Sequence, residues 1–240
     1  MRYSLLSPGK RVRPRLCLAT VRAAGGDPEQ ALPAAAALEM IHAFSLVHDD
    51  LPALDDDTER RGRPTSHVRY GEAVAILAGD ALLNAAYRHV LEHLDAPPDV
   101  RLAVLAELSA GVTGMIDGQY LDVTSQAPTH EELVRLHRLK TGALIEAAVG
   151  CGLVVAGLDA DAQQPFRALA AELGLLFQIV DDLLDGERDG DVSYVTLLGE
   201  PRTRDLAEAS HERAVGLLGR IDGDATELAE LTELIGRRRS

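Results

Sequence analysis

Two apolar runs that each end in adjacent aspartates constrain this chain more than any other feature. In the first, Met40, Ile41, Phe44, Leu46 and Val47 lead to Asp49 and Asp50. Pro52 then stops the regular helix, because it lacks an N–H and clashes with the preceding turn. Asp55, Asp56 and Asp57 follow, with Arg60, Arg61 and Arg63 directly behind them. Taken alone, this stretch reads equally well as a solvated charged loop or as a place where Mg²⁺ and a phosphate are held together, since Mg²⁺ prefers carboxylate oxygens, water and substrate phosphates. The second run decides between them. Leu173, Leu175, Leu176, Phe177, Ile179 and Val180 lead to Asp181 and Asp182, with Asp185 one turn later. Carboxylates on so apolar a helix are costly unless they are paired or bind a metal. Two such helix ends facing one another across a cavity would hold cations around one diphosphate, with space below for a hydrocarbon tail.

Composition agrees with a helical architecture. The 240 residues are 46% hydrophobic but only 3% aromatic, rich in Ala and Leu and poor in alternating β-branched runs. A formal net charge of −14 argues against nonspecific nucleic-acid binding, which needs a basic face. Cys17 and Cys151 lie in apolar surroundings without metal-site spacing, and read as small buried hydrophobes of a reducing compartment. No signal-peptide pattern follows Met1, and the apolar stretch from Ala147 to Leu158 is too short to span a bilayer. A cytoplasmic protein without membrane insertion is expected.

The rest of the chain supplies candidate partners for an anion. Lys10, Arg11, Arg13 and Arg15 head an apolar helix with Pro14 in its first turn, and anions bind readily at such ends. An exposed basic start is the alternative. Glu39 and His42 form an E-x-x-H pair, half of a di-iron signature; His42 also shares a helix face with Asp49. A helix capped by Thr65 or Ser66 is expected to run through Ala73, Ile76 and Leu82, and residues 124–128 read as a polar linker. Thr129 and Glu132 fit a capping box. Lys140 and Thr141 interrupt an apolar face. Helices are expected near Arg202–Leu218 and Ala225–Arg237.

Together these motifs resemble the trans-isoprenyl diphosphate synthase family, which includes farnesyl and geranylgeranyl diphosphate synthases. HDDLPALDDDTERRGRPTSH resembles its first aspartate-rich motif in the bacterial DDxxxxD form, FQIVDDLLD resembles the second, and KTGAL lies between them. The resemblance implies an all-α, single-domain bundle of about ten helices around a central cavity, covering residues 1–240 and lacking the first helix or two. It implies that Asp49, Asp55 and Asp181 ligate about three Mg²⁺ ions, or Mn²⁺ in their place, with Asp50 and Asp185 in support and Asp182 and Lys140 also catalytic. Arg60, Lys140, Thr141 and Gln178 would hold the allylic diphosphate; Gly9, Lys10, Arg13, His42 and Arg61 would hold isopentenyl diphosphate. Phe44, with small Ser45 beside it, would set product length, and an aromatic there points to farnesyl diphosphate. A homodimer joined through the apolar helices between Ala73 and Leu121 is implied as well. Other readings are a geranylgeranyl diphosphate synthase, a class I terpene cyclase and a non-catalytic subunit of a heteromeric synthase. The sequence departs from the family after Asp185, where Asp191 stands in place of an expected lysine.

Overall fold

The computed structural model describes residues 1–124, 129–186 and 193–237. Asp191 and the linker residues 125–128 lie outside the described residues. Among the described residues are twelve α-helices and one two-stranded hairpin. Three helices span five residues or fewer: α1 (Arg2–Leu5), α4 (Ser66–Tyr70) and α10 (Tyr194–Leu198). The long ones are α2 (Val12–Ala23), α3 (Leu32–Asp49), α5 (Glu72–His93), α6 (Pro98–Thr124), α8 (Ala143–Ala156), α9 (Ala160–Asp185), α11 (Glu200–Leu218) and α12 (Thr226–Gly236), with α7 (His130–His137) between α6 and α8. The hairpin pairs β1 (Glu59–Arg60) with β2 (Arg63–Pro64). This is the all-α bundle expected from the Ala/Leu-rich composition.

The packing order follows from which faces are apolar. Apart from Glu146 in its first turn, the α8 run is apolar all round and is therefore enclosed, against α2, α6 and α9. Cys17 and Cys151 are fully buried there as free thiols, and burial pushes the Cys17 thiol up to about 12. Helix α3 lies between α2 and α5, while α11 and α12 pack on α9. The segment from His130 to Ala156 is helical without a break and longer than the apolar stretch seen in the sequence; more than half of its most apolar window is buried inside the bundle. The sequence predicts a single helix after Thr65, but the chain forms two. Gly71, at φ 84, ends α4 and starts α5, and Thr65 makes no side-chain capping bond.

Between α7 and α8 the helix widens into a π-helical turn, Arg138–Gly142, a form that recurs at functional sites. Helix α6 approaches this turn so closely that a Cβ on Gly118 would lie 2.2 Å from the Lys140 nitrogen. Backbone on both sides leaves nothing to yield. Gly118→Ala is therefore expected to lose about 2 kcal/mol of stability despite alanine's better helix propensity, and to lower activity by moving Lys140. A thermal melt equal to wild type would refute this.

Candidate active site

The last turn of α3 delivers Asp49 and Asp50 to one end of the bundle. The chain then folds back on itself, so that the Asp55 N–H donates to the Asp49 carbonyl at 2.9 Å. The β1–β2 hairpin turns through Arg61 (φ 55) and Gly62 (φ 73), which brings Arg60 back over the helix end. Its Nε donates to Asp50 Oδ1 at 2.5 Å and its Nη2 to Asp57 Oδ2 at 2.8 Å. Asp50, only 4% exposed, thus serves to hold an arginine.

The opposite wall comes from α9 and the π-helical turn. Thr141 Oγ1 donates to Gln178 Oε1 at 2.8 Å, and Gln178 Nε2 donates to Asp182 Oδ1 at 2.8 Å. The other oxygen of Asp182 accepts the Tyr194 N–H at 2.7 Å, tying α10 to α9. Asp182 is 6% exposed. Asp181, one residue earlier, points the other way and lines the cavity. Lys140 Nζ donates to Asp122 Oδ2 on α6 at 2.5 Å.

Between these walls lies a cavity of about 1060 Å³. Of the residues singled out in the sequence, Gly9, Lys10, Arg13, His42, Phe44, Ser45, Asp49, Arg60, Arg61, Lys140, Thr141 and Asp181 line it; Asp50, Asp55, Gln178, Asp182 and Asp185 do not. The cavity therefore has a cationic rim in a protein of strongly negative net charge. Leu46, Met115, Ile116 and Phe177 add an apolar part to the lining. Burial pushes the Asp49 carboxyl up to about 6; Lys140 opposes the shift, and neighbouring Asp55 adds to it. Burial likewise raises Asp50 and Asp55. His42 is driven well below its ordinary range, first by desolvation and then by Arg13, Arg61, Arg11 and Arg60. At neutral pH its imidazole is uncharged, able to donate one hydrogen bond without adding to the crowd of cations.

A family model described as polyprenyl synthetase matches residues 1–214. The chain belongs to the polyprenyl synthetase family. It is 42% identical over 258 residues to farnesyl diphosphate synthase of Geobacillus stearothermophilus, covering 99% of this chain and 87% of that one. It is 49% identical over 191 residues to geranylgeranyl diphosphate synthase of Cyanophora paradoxa, covering 77% and 64% respectively. A solved FPP/GFPP synthase from Zymomonas mobilis superposes with a TM-score of 0.91 at 36% identity, covering 98% of this chain and 86% of that one. This member of the family is a short-chain prenyltransferase, and the fold is that of the isoprenyl synthases.

Several site residues were not singled out in the sequence. Asp122 holds Lys140, and Gln119 and Tyr120 line the cavity beside it. The signal was present in GQYLD, where polar side chains recur within an apolar helix. Glu39 pairs with Arg11, so the E-x-x-H pattern here anchors a basic segment.

Proposed function

We propose that this enzyme condenses isopentenyl diphosphate with dimethylallyl or geranyl diphosphate, in the presence of Mg²⁺, to give farnesyl diphosphate. The observation that carries this reading is the single cavity that has Asp49 and Asp181 on two walls, cations on its rim and Phe44 on its apolar side. Among the described residues no three metal-binding side chains form a closed cation cage. Mg²⁺ needs none, because it is usually held by one or two carboxylates together with water and substrate phosphates. Asp49, Asp55 and Asp181 suit that role. Bound there, the metal would supply positive charge to a departing diphosphate.

The chain's own groups do the remaining work. Arg60 and Lys140, each fixed by a carboxylate partner, present donors to the allylic diphosphate. Lys10, Arg13, Arg61 and neutral His42 form a second anion pocket for isopentenyl diphosphate. The apolar wall of Met115, Ile116 and Phe177 keeps water from the carbocation left by ionisation of the allylic carbon–oxygen bond. The isopentenyl double bond then attacks that carbon, and the proton lost afterwards passes to the released diphosphate. A second anion pocket favours chain elongation over terpene cyclisation. Geranylgeranyl diphosphate is the second reading for the product, favoured by relatives that carry that name and by the small Ser45 next to Phe44. Incubation with isopentenyl diphosphate, geranyl diphosphate and Mg²⁺ tests the proposal. An elongated diphosphate supports it, whereas a cyclic hydrocarbon or no product overturns it.

A homodimer belongs to the same proposal. Leu77 on α5 and Leu102 on α6 are 67% and 66% exposed, with Val74 and Ile76 also open to solvent. Exposed apolar side chains grouped on two helices that pack together suit an interaction surface. A dimer is expected by light scattering at micromolar concentration, and a clean monomer would refute it.

A further inference from the structure

The segment ahead of the basic cluster is fastened down by a side chain that does not line the main cavity. Tyr3, on α1, donates its hydroxyl to the Pro64 carbonyl at 2.7 Å. The guanidinium carbons of Arg63 and Arg69 lie over its ring, 4.1 and 4.6 Å from the centroid. Tyr70 meets the ring edge-on at 5.4 Å. Ser4 Oγ lies 2.9 Å from Ser66 Oγ, and Arg61 Nη1 donates to the Pro8 carbonyl at 2.6 Å. The segment from Tyr3 to Pro8 is therefore stitched to the hairpin and to the start of α4 at separated points.

Tyr3 also stands directly behind the main cavity. A second cavity of about 50 Å³ has Tyr3, Ser4 and Ser7 on its lining. Arg11, Glu39, His42, Arg60 and Arg61 line both cavities. They form a wall one side chain thick, with Tyr3 on its far side. The hairpin that contributes Arg60 and Arg61 to this wall turns through a non-glycine residue at positive φ, a conformation that side chains rarely adopt unaided. Arg60 is held separately by Asp50 and Asp57, so the contacts on the Arg63–Pro64 strand bear on Arg61. Placing Arg63 and Arg69 over the electron-rich face of one ring also makes room for two more cations beside Arg60 and Arg61.

We propose that Tyr3 is a positioning residue for the isopentenyl diphosphate pocket, acting through the Arg63–Arg69 stack and the Pro64 carbonyl to fix Arg61. The proposal rests on the reading that this pocket takes isopentenyl diphosphate. In steady-state assays Tyr3→Ala is expected to raise KM for isopentenyl diphosphate about fivefold to tenfold, with kcat and the allylic KM within about twofold of wild type. Tyr3→Phe keeps the ring and is expected to lie much nearer wild type. Arg69→Gln, at an exposed position, is expected to raise the same KM by about threefold to fivefold; it carries the test if Tyr3→Ala does not fold. Equal rises in both KM values, a fall in kcat alone, or a Phe variant no better than Ala would overturn the role. Calorimetric titration with isopentenyl diphosphate separates the two layers. No binding by the wild-type protein brings down the pocket assignment and Tyr3 with it. Binding of equal strength by wild type and Tyr3→Ala overturns Tyr3 alone.

Discussion

Asparagine at position 49 is expected to lower turnover about a hundredfold to a thousandfold while leaving the helical circular dichroism spectrum unchanged. Asp49 lies where the cationic rim, the first acidic segment and the apolar cavity meet. Its amide replacement keeps the shape and removes the negative charge that would bring Mg²⁺ to the diphosphate. Asp181→Asn, on the other wall, is expected to cost a similar factor. Activity within about tenfold of wild type in either variant would sink the assignment of these carboxylates as metal ligands.

The same substitution is expected to move stability in the opposite direction. The Asp49 carboxyl stands at about 6 in the folded protein, against an ordinary 3.8, chiefly because it is desolvated. Its neutral form is therefore the one the fold favours. That favourable contribution is complete below about pH 3.8, shrinks as pH rises, and is gone above about 6, where the fold carries an ionised carboxylate at a cost. Asp49→Asn removes this cost. In metal-free buffer at pH 8 the variant should exceed wild type by about 1–2 kcal/mol, after discounting for the water that still reaches the carboxylate, or roughly 3–6 °C. At pH 4 the two should nearly coincide. Adding Mg²⁺ with a diphosphate should stabilise wild type more than the variant. Equal melting temperatures at pH 8 would refute the burial account of Asp49.

The two halves of this site differ in how far they could be read from the sequence, and the reason is physical. Asp49 and Asp181 stand out because a charge at the end of an apolar run is costly unless it is paired or binds a ligand, and two such ends occur in one chain. Capping by Thr129 and Glu132 was equally local: both bonds of the box are present. The setting of Lys140 was not local. Its π-helical turn lies within backbone reach of α6 at Gly118, and its partner Asp122 lies 18 positions away. Glu39 shows the same limit. Its spacing to His42 suggested a metal motif, whereas its charge is taken by Arg11, from a helix start that the local pattern cannot pair with it. Asp50 and Asp182 read like their neighbours Asp49 and Asp181. Helix rotation turns each into the protein, where one holds Arg60 and the other holds Gln178 and the Tyr194 backbone. A doublet of like residues on a helix thus divides into one group facing the cavity and one tied into the scaffold.

Product length is the second large expected effect, and it turns on Phe44. In a helix, Ser45 stands one turn before Asp49 on the same face, and Phe44 flanks it. Both line the cavity, and the Phe44 ring is 7% exposed. A tail growing away from the diphosphate meets a small side chain and then an aromatic wall. That wall is backed. The His48 ring meets Phe44 edge-on at 5.0 Å, its Nε2 lies 3.1 Å from the Ile76 carbonyl, and it packs so tightly on α5 that a Cβ on Gly79 would collide with it at 2.1 Å. Because His48 is held in this way, it is not free to swing into space left by a truncated Phe44. Phe44→Ala is therefore expected to open the cavity and shift the main product from farnesyl to geranylgeranyl diphosphate. Each added isoprene unit brings five apolar carbons, worth about 4 kcal/mol if fully buried. That is comparable with the contacts an aromatic side chain loses on truncation to alanine, about 3–5 kcal/mol. Turnover should fall by less than about tenfold, since on the proposed reading Phe44 would meet the tail and not the reacting carbons. Chromatography of dephosphorylated products with geranyl diphosphate as primer makes the comparison. A wild-type enzyme that already makes the C20 product, or a variant that keeps the wild-type product, would remove Phe44 as the residue that sets chain length.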